Sequence, residues 1–257
     1  MRKKILAILS ITLFMAMLIP TVAIASNEIT FNALKLSGVK KYDMKLPTGG
    51  TIKTKAQIDT LLKKLPLKEP GKGTTRFICQ LYFHRLVTAK PGKYESVSKD
   101  KYWMKIQKQY APSRVEIINL NSSTDPVYCM LKNEDSKYIY EWYWNKGAKT
   151  GTSVKTPRTS QPSDEIIIYN IINYKVYKDE KILGDTCFVY SYSWNGTDWS
   201  DEDKGTQYFW ISRKTGIQRK STAVANGRMS TSIIFVQEKK NMAESWYKPP
   251  KNIKFSK

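Results

Sequence analysis

Tyr208 to Lys220 reads Tyr-Phe-Trp-Ile-Ser-Arg-Lys-Thr-Gly-Ile-Gln-Arg-Lys. Two extended runs meet at Arg213-Lys214-Thr215-Gly216, and Gly216 is free to take the left-handed conformation that a short bulged hairpin loop requires. The stretch is therefore read as a β-hairpin. Strand geometry puts Tyr208, Trp210 and Ser212 on one face and Phe209, Ile211 and Arg213 on the other, so this arm has apolar contacts on both sides.

The same signature repeats outward in both directions. Downstream, Ala225-Asn226-Gly227-Arg228 contains the Asn-Gly pair that most strongly marks a two-residue hairpin, with Met229 to Gln237 as its return arm. Upstream, Thr186 to Trp194 aligns Phe188, Tyr190, Tyr192 and Trp194, and Asn195-Gly196 is read as the turn that follows. Tyr174 to Tyr177 is a further strand, with a turn expected over Lys178 to Gly184. Alternating runs over Arg76 to Leu86, Tyr102 to Lys108, Arg114 to Leu120, Val127 to Lys132 and Tyr138 to Trp144 are separated by short polar turns. The last of these aligns Tyr138, Tyr140, Trp142 and Trp144. Many strands at such spacing indicate a mainly β, antiparallel architecture.

Two segments break the pattern. Thr54-Lys55-Ala56-Gln57 is a capping-box sequence, and Ile58, Leu61, Leu62 and Leu65 follow at helical spacing until Pro66. Asn145 to Asp164 is rich in Gly, Ser, Thr, Lys and Pro with little to bury, and is expected to be a mobile loop. After it, Ser163-Asp164-Glu165 favours a helix start, whereas Ile166-Ile167-Ile168-Tyr169 favours a strand. A short alternating strand is also expected over Asn27 to Leu36. Glu69-Pro70-Gly71-Lys72-Gly73 has the wrong glycine order for a phosphate-binding loop.

Arg2-Lys3-Lys4, an apolar run from Ile5 to Ile19 and Ala23-Ile24-Ala25 before Ser26 have the order of a secretory signal peptide. Cleavage is expected after Ala25, leaving residues 26–257 as one extracytoplasmic β domain. The leader holds three of the 43 basic residues and none of the 22 acidic ones, so the basic excess behind the formal charge of +21 survives its removal. Such an excess attracts anionic membrane surfaces and wall polymers over about 8–10 Å at moderate salt. Nucleic acid is a further polyanion such a charge attracts, but the lysines are spread along the chain rather than blocked, as on an ordinary solvated surface, and no specific nucleic-acid partner is expected. Cys79, Cys129 and Cys187 are an odd count that allows at most one internal disulfide; each lies in an apolar run where a buried thiol is the usual outcome.

The hairpin Phe209-Trp210-Ile211-Ser212-Arg213-Lys214-Thr215-Gly216-Ile217 resembles that of the LolA-like superfamily of outer-membrane lipoprotein-sorting proteins. Gly184-Asp185-Thr186-Cys187-Phe188-Val189-Tyr190 is similar to the family's glycine and following strand, Arg114-Val115-Glu116-Ile117 to its arginine-bearing strand, and Ser245-Trp246-Tyr247-Lys248-Pro249 to its terminal aromatic segment. The resemblance runs from Arg76 to the end of the chain. It implies a strongly curved antiparallel half-barrel whose concave side is covered by a few short helices and takes acyl chains or lipid-bearing partners. It also favours a helix over Ser163 to Ile171. The family includes exported Gram-positive proteins, and a Lys-, Asn- and Ile-rich chain such as this one is similar to that group.

Nothing in the sequence assembles a reaction centre. His84 is the single histidine, on a strand face with Gln80 and Tyr82, where a structural hydrogen bond is expected. No metal-binding spacing or nucleophile elbow accompanies it, and no cofactor is expected. Asp201-Glu202-Asp203 falls in a turn-rich segment and reads as solvated. The informative residues are 16 tyrosines and seven tryptophans, because rigid rings bury large areas at little rotamer cost. Tyr140, Trp142, Tyr190, Tyr192, Tyr208 and Trp210 are taken as the ligand-lining set, with Tyr208 and Trp210 expected to face the concavity in register with the rows of Tyr140, Trp142, Tyr190 and Tyr192. The expected function is a monomeric, non-enzymatic carrier for a lipid, an acyl chain or an acylated protein. The alternatives are an envelope sensor that docks a membrane protein's external segment and a binder of anionic wall polymer.

Overall fold

A computed structural model describes residues 39–66, 74–90, 92–106, 111–158, 169–197, 204–239 and 242–256. The signal-peptide, Asn27 to Leu36 and 69–73 expectations fall outside these residues, as does Asp201-Glu202-Asp203. The fold is mainly β, with one α-helix, α1 (Lys55–Lys63), among the described residues. The strands are β1 (Thr51–Lys53), β2 (Thr75–Leu86), β3 (Ser96–Lys105), β4 (Ser113–Asn119), β5 (Tyr128–Glu134), β6 (Tyr138–Asn145), β7 (Thr150–Pro157), β8 (Tyr169–Ile182), β9 (Asp185–Thr197), β10 (Lys204–Ser212), β11 (Gln218–Ala225), β12 (Arg228–Lys239) and β13 (Lys254–Ser256). They hydrogen-bond in the order β1-β8-β9-β10-β11-β12-β2-β3-β4-β5-β6-β7-β13, an unclosed sheet. Neighbouring strands pair antiparallel from β1 through β8 to β12 and from β3 through to β7, and β13 joins β7 in parallel. The residues group into two compact units, one holding most of β8 to β12 with α1, the other most of β3 to β7 with β13.

In the first unit the hairpin closes as its sequence requires. Gly216 has φ +69°, its N–H donates to the Ser212 carbonyl at 2.8 Å, and a bulge falls between Trp210 and Ile211. Residues Leu183 and Gly184 (φ +55° and +82°) and Asn226 and Gly227 (φ +49° and +74°) make the tight turns after β8 and β11. Helix α1 starts on the expected capping box: Thr54 Oγ1 accepts from the Gln57 amide, and Gln57 Oε1 accepts from the Thr54 amide. Its Ile58, the following Leu65 and the half-buried Leu61 and Leu62 pack on Phe188, Tyr190, Phe209 and Ile211.

The opposite face of the same strands buries Ile182, Cys187, Val189 and Trp210 against Met44, Tyr177, Leu183 and Tyr208. Charge is buried here too. Arg85 Nε donates to Asp43 Oδ1 at 2.9 Å, both side chains being inaccessible, and Arg85 Nη1 donates to the carbonyls of Leu86, Val87 and Ala89. Trp210 Nε1 donates to Glu180 Oε2 at 2.7 Å, and the Lys220 ammonium lies 4.3 Å from the Trp210 ring centre. His84 Nδ1 shares a 2.7 Å hydrogen bond with Ser230 Oγ, the structural role expected of it.

The second unit has its own aromatic centre. Phe77 packs on Trp103 (5.0 Å) and Trp103 on Trp246 (5.4 Å), while the Arg114 guanidinium lies 4.2 Å from the Trp246 ring and 5.4 Å from Trp144. Cys129, Leu131 and Trp144 form a buried cluster under Ile253 and Phe255. The C-terminal segment is tied down by Tyr247 Oη with Thr75 Oγ1 at 2.7 Å, by Asn133 Nδ2 donating to the Tyr247 carbonyl, and by a Lys105–Glu244 ion pair.

Several boundaries differ from the sequence expectation. Residues 150–157, expected within a loop, form β7, because backbone pairing to β6 and β13 needs no large side chains; Gly151 in fact makes room for the Phe255 ring. Strand β8 runs through Lys178 to Lys181, expected as a turn, by way of a bulge between Tyr177 and Glu180. Asn195-Gly196 lies inside β9, with Gly196 at φ +101°, and Tyr169 to Ile171 are strand where a helix end was expected. The three cysteines are buried free thiols, and burial pushes their pKa values up to about 12, 11 and 12 for Cys79, Cys129 and Cys187.

Lys220 generates a measurable pH dependence. Burial lowers its pKa to about 8, against the opposing pull of Glu180, from an ordinary 10.5. The fold thus prefers the neutral amine: the penalty is complete below pH 8 and is relieved as pH rises towards 10.5. Urea unfolding should show the wild type gaining stability as pH rises from about 8 towards 10.5, and Lys220→Met should lack that rise.

Candidate functional site

The site is built on the α1 face of β8, β9 and β10. Tyr190 and Phe209 are register partners, so the alternation of each strand brings their rings together at 4.8 Å and 16°. Phe188 stacks on Tyr190 at 5.7 Å. Tyr192 continues the row, 5.8 Å from Phe209, 6.3 Å from Tyr174 and 6.0 Å from Trp194, and Trp194 meets Tyr169 edge-on at 5.0 Å. Desolvation holds the hydroxyls of Tyr174, Tyr190 and Tyr192 above the ordinary tyrosine pKa, so the row is uncharged over the physiological range.

The two ends of the row differ. At the Phe188 end α1 covers it. Trp194 also borders an open depression of about 430 Å³ lined from both sides of the sheet, by Trp194, Gly205 and Ala225 of the α1 face and by Ser193, Thr206 and Val224 of the Tyr208 face, with Ile172, Asn195, Lys204 and Asn226 completing it. Trp194 pairs with Gly205 in register, and its ring lies where a Gly205 Cβ would project, so the glycine is required by close approach. Ser193 Oγ and Thr206 Oγ1 bond to each other at 2.9 Å, which removes them as free polar groups. The wall is mostly apolar, and its volume falls within the roughly 300–1,000 Å³ of small-ligand pockets.

Of the six residues expected to line a ligand cavity, the structure brings Tyr190 and Tyr192 into this row. Tyr208 and Trp210 stand on the opposite face, paired with Ser191 and Val189, and Trp210 is completely buried against Glu180 and Lys220. The expectation that the two pairs share a face is therefore corrected: Tyr190 faces Phe209 across the ladder, and one residue of offset exchanges the sets. Tyr140 and Trp142 belong to the second unit. Their rings are nearly parallel at 6.3 Å; Tyr140 Oη donates to Asp135 Oδ2, and Lys155 lies over Tyr138 and Tyr140. Trp194 was visible as the fourth member of the β9 row, but nothing in sequence shows that Gly205 would lie beneath it.

No protein-family model matches the chain, and no curated protein matches it. Among solved structures it is similar to a DUF1329 family protein from Desulfovibrio piger, at 8% identity and a TM-score of 0.33 over 75% of this chain and 95% of that one. A superposition this loose assigns neither fold nor function.

The close approach of Trp194 to Gly205 gives a direct check. Gly205→Val should lower stability by about 1–3 kcal/mol through overpacking, and should shift tryptophan emission as Trp194 is displaced.

Proposed function

We propose that the protein is an exported, non-enzymatic binding protein for a single apolar chain, of the acyl class, held at the Trp194 end of the aromatic row. The observation that supports the reading is that Trp194, the last ring of the row, borders an open depression whose exposed wall is largely apolar. Burial of hydrocarbon contributes about 25 cal/mol per Å², so one long chain gains several kcal/mol before ordering costs. The sequence resemblance to LolA-like proteins supports the same class of ligand. The basic excess favours delivery to or from an anionic envelope surface.

Protein purified from its own host should carry extractable lipid in native mass spectrometry, and the delipidated protein should bind a fluorescent fatty acid. Ala225→Trp, which fills the depression, should weaken that binding about tenfold or more, whereas Tyr208→Ser, outside its lining, should leave it within about twofold. Absence of both lipid and probe binding would overturn the proposal. Affinity that collapses with salt and ignores chain length would instead favour the polyanion reading.

A further inference from the structure

Two Asn-Gly pairs meet at the same depression. Asn195 and Asn226 both line it, followed in sequence by Gly196 and Gly227. A glycine after asparagine removes the side chain that would obstruct attack by its backbone nitrogen, and leaves that backbone conformationally permissive. The two pairs are held very differently. Asn226 and Gly227 are exposed at the tip of the β11–β12 turn, nothing lies within 4 Å of where a Gly227 Cβ would project, and although the Gly227 carbonyl accepts from the Val87 N–H at 2.9 Å, the Gly227 N–H donates to no acceptor among the described residues. Gly196 is buried within strand β9.

We infer that Asn226 is a site of spontaneous deamidation, and that Asn195 is protected from the same chemistry by the sheet. The Gly227 backbone nitrogen attacks Cγ of the Asn226 amide and closes a five-membered succinimide. The side-chain nitrogen leaves as ammonia, carrying the proton that the Gly227 nitrogen gives up. Water then opens the ring at either carbonyl, giving aspartate or isoaspartate. One water is consumed and one ammonia released, with no change of oxidation state.

The conversion writes a carboxylate onto the rim that also carries Lys204. It turns an uncharged mouth position into one that repels an anionic head group and leaves a neutral one unaffected. The chemistry is independent of the binding role proposed above; only this consequence rests on it.

The full chain is aged at mildly alkaline pH and mapped by peptide mass spectrometry, folded and in urea. In the folded protein the Asn226 peptide should convert several-fold faster than the Asn195 peptide, and in urea the two rates should converge. Equal rates in the folded protein, or an Asn226 that stays amidated while the unfolded chain converts, would overturn the inference. Asn226→Asp is then compared with wild type on a long-chain fatty acid and its neutral alcohol. A several-fold loss confined to the acid supports the charge effect, and equal losses refute it. If neither probe binds wild type, the ligand proposal fails while the mapping result stands.

Discussion

The pairing of β9 with β10 decides what each side of the first unit contains. Once Tyr190 is set opposite Phe209, the period of two places Phe188, Tyr192 and Trp194 with α1 on one side, and Val189, Ser191 and Trp210 on the other. The first side is apolar. The second is closed and carries buried charge. A slip of β9 by a single residue would turn Phe188, Tyr190 and Tyr192 away from α1 and bring Val189 and Ser191 beneath it, so the apolar contacts with Ile58 and Leu65 favour the observed register.

The buried polar groups on the Trp210 side have a structural reason. Trp210 Nε1 is a donor in a fully buried ring, and Glu180 satisfies it; Lys220 then offsets the Glu180 charge from above the same ring. Arg85 uses Asp43 and three carbonyls to fasten the segment before β1 and the turn after β2. The second unit applies the same device differently, clasping Arg114 between Trp144 and Trp246 so that a cation replaces an apolar side chain in the aromatic stack.

Much of this was legible in the sequence because it is local. The capping box at Thr54, the left-handed Gly216 and the Asn226-Gly227 turn each follow from residue chemistry within a few positions. Strand existence was equally readable from alternation. The missed elements depend on partners distant in sequence: β7 has little to bury and is a strand because β6 and β13 supply its hydrogen bonds. Facing was the decisive loss. Trp210 and Tyr190 look alike as members of aromatic rows, and only the cross-strand register shows that they point to opposite sides. Gly205, silent as a loop-adjacent glycine, becomes a site residue solely because Trp194 lies on it.

The central claim is that an apolar chain occupies the depression beside Trp194. Photocrosslinking with a diazirine-bearing fatty acid, followed by peptide mapping, tests it most directly. Label concentrated on the peptides containing Ile172, Trp194 and Val224-Ala225 is the predicted result. Label concentrated on Tyr177 and Tyr208, or on the second unit's Tyr140-to-Trp142 strand, would contradict it.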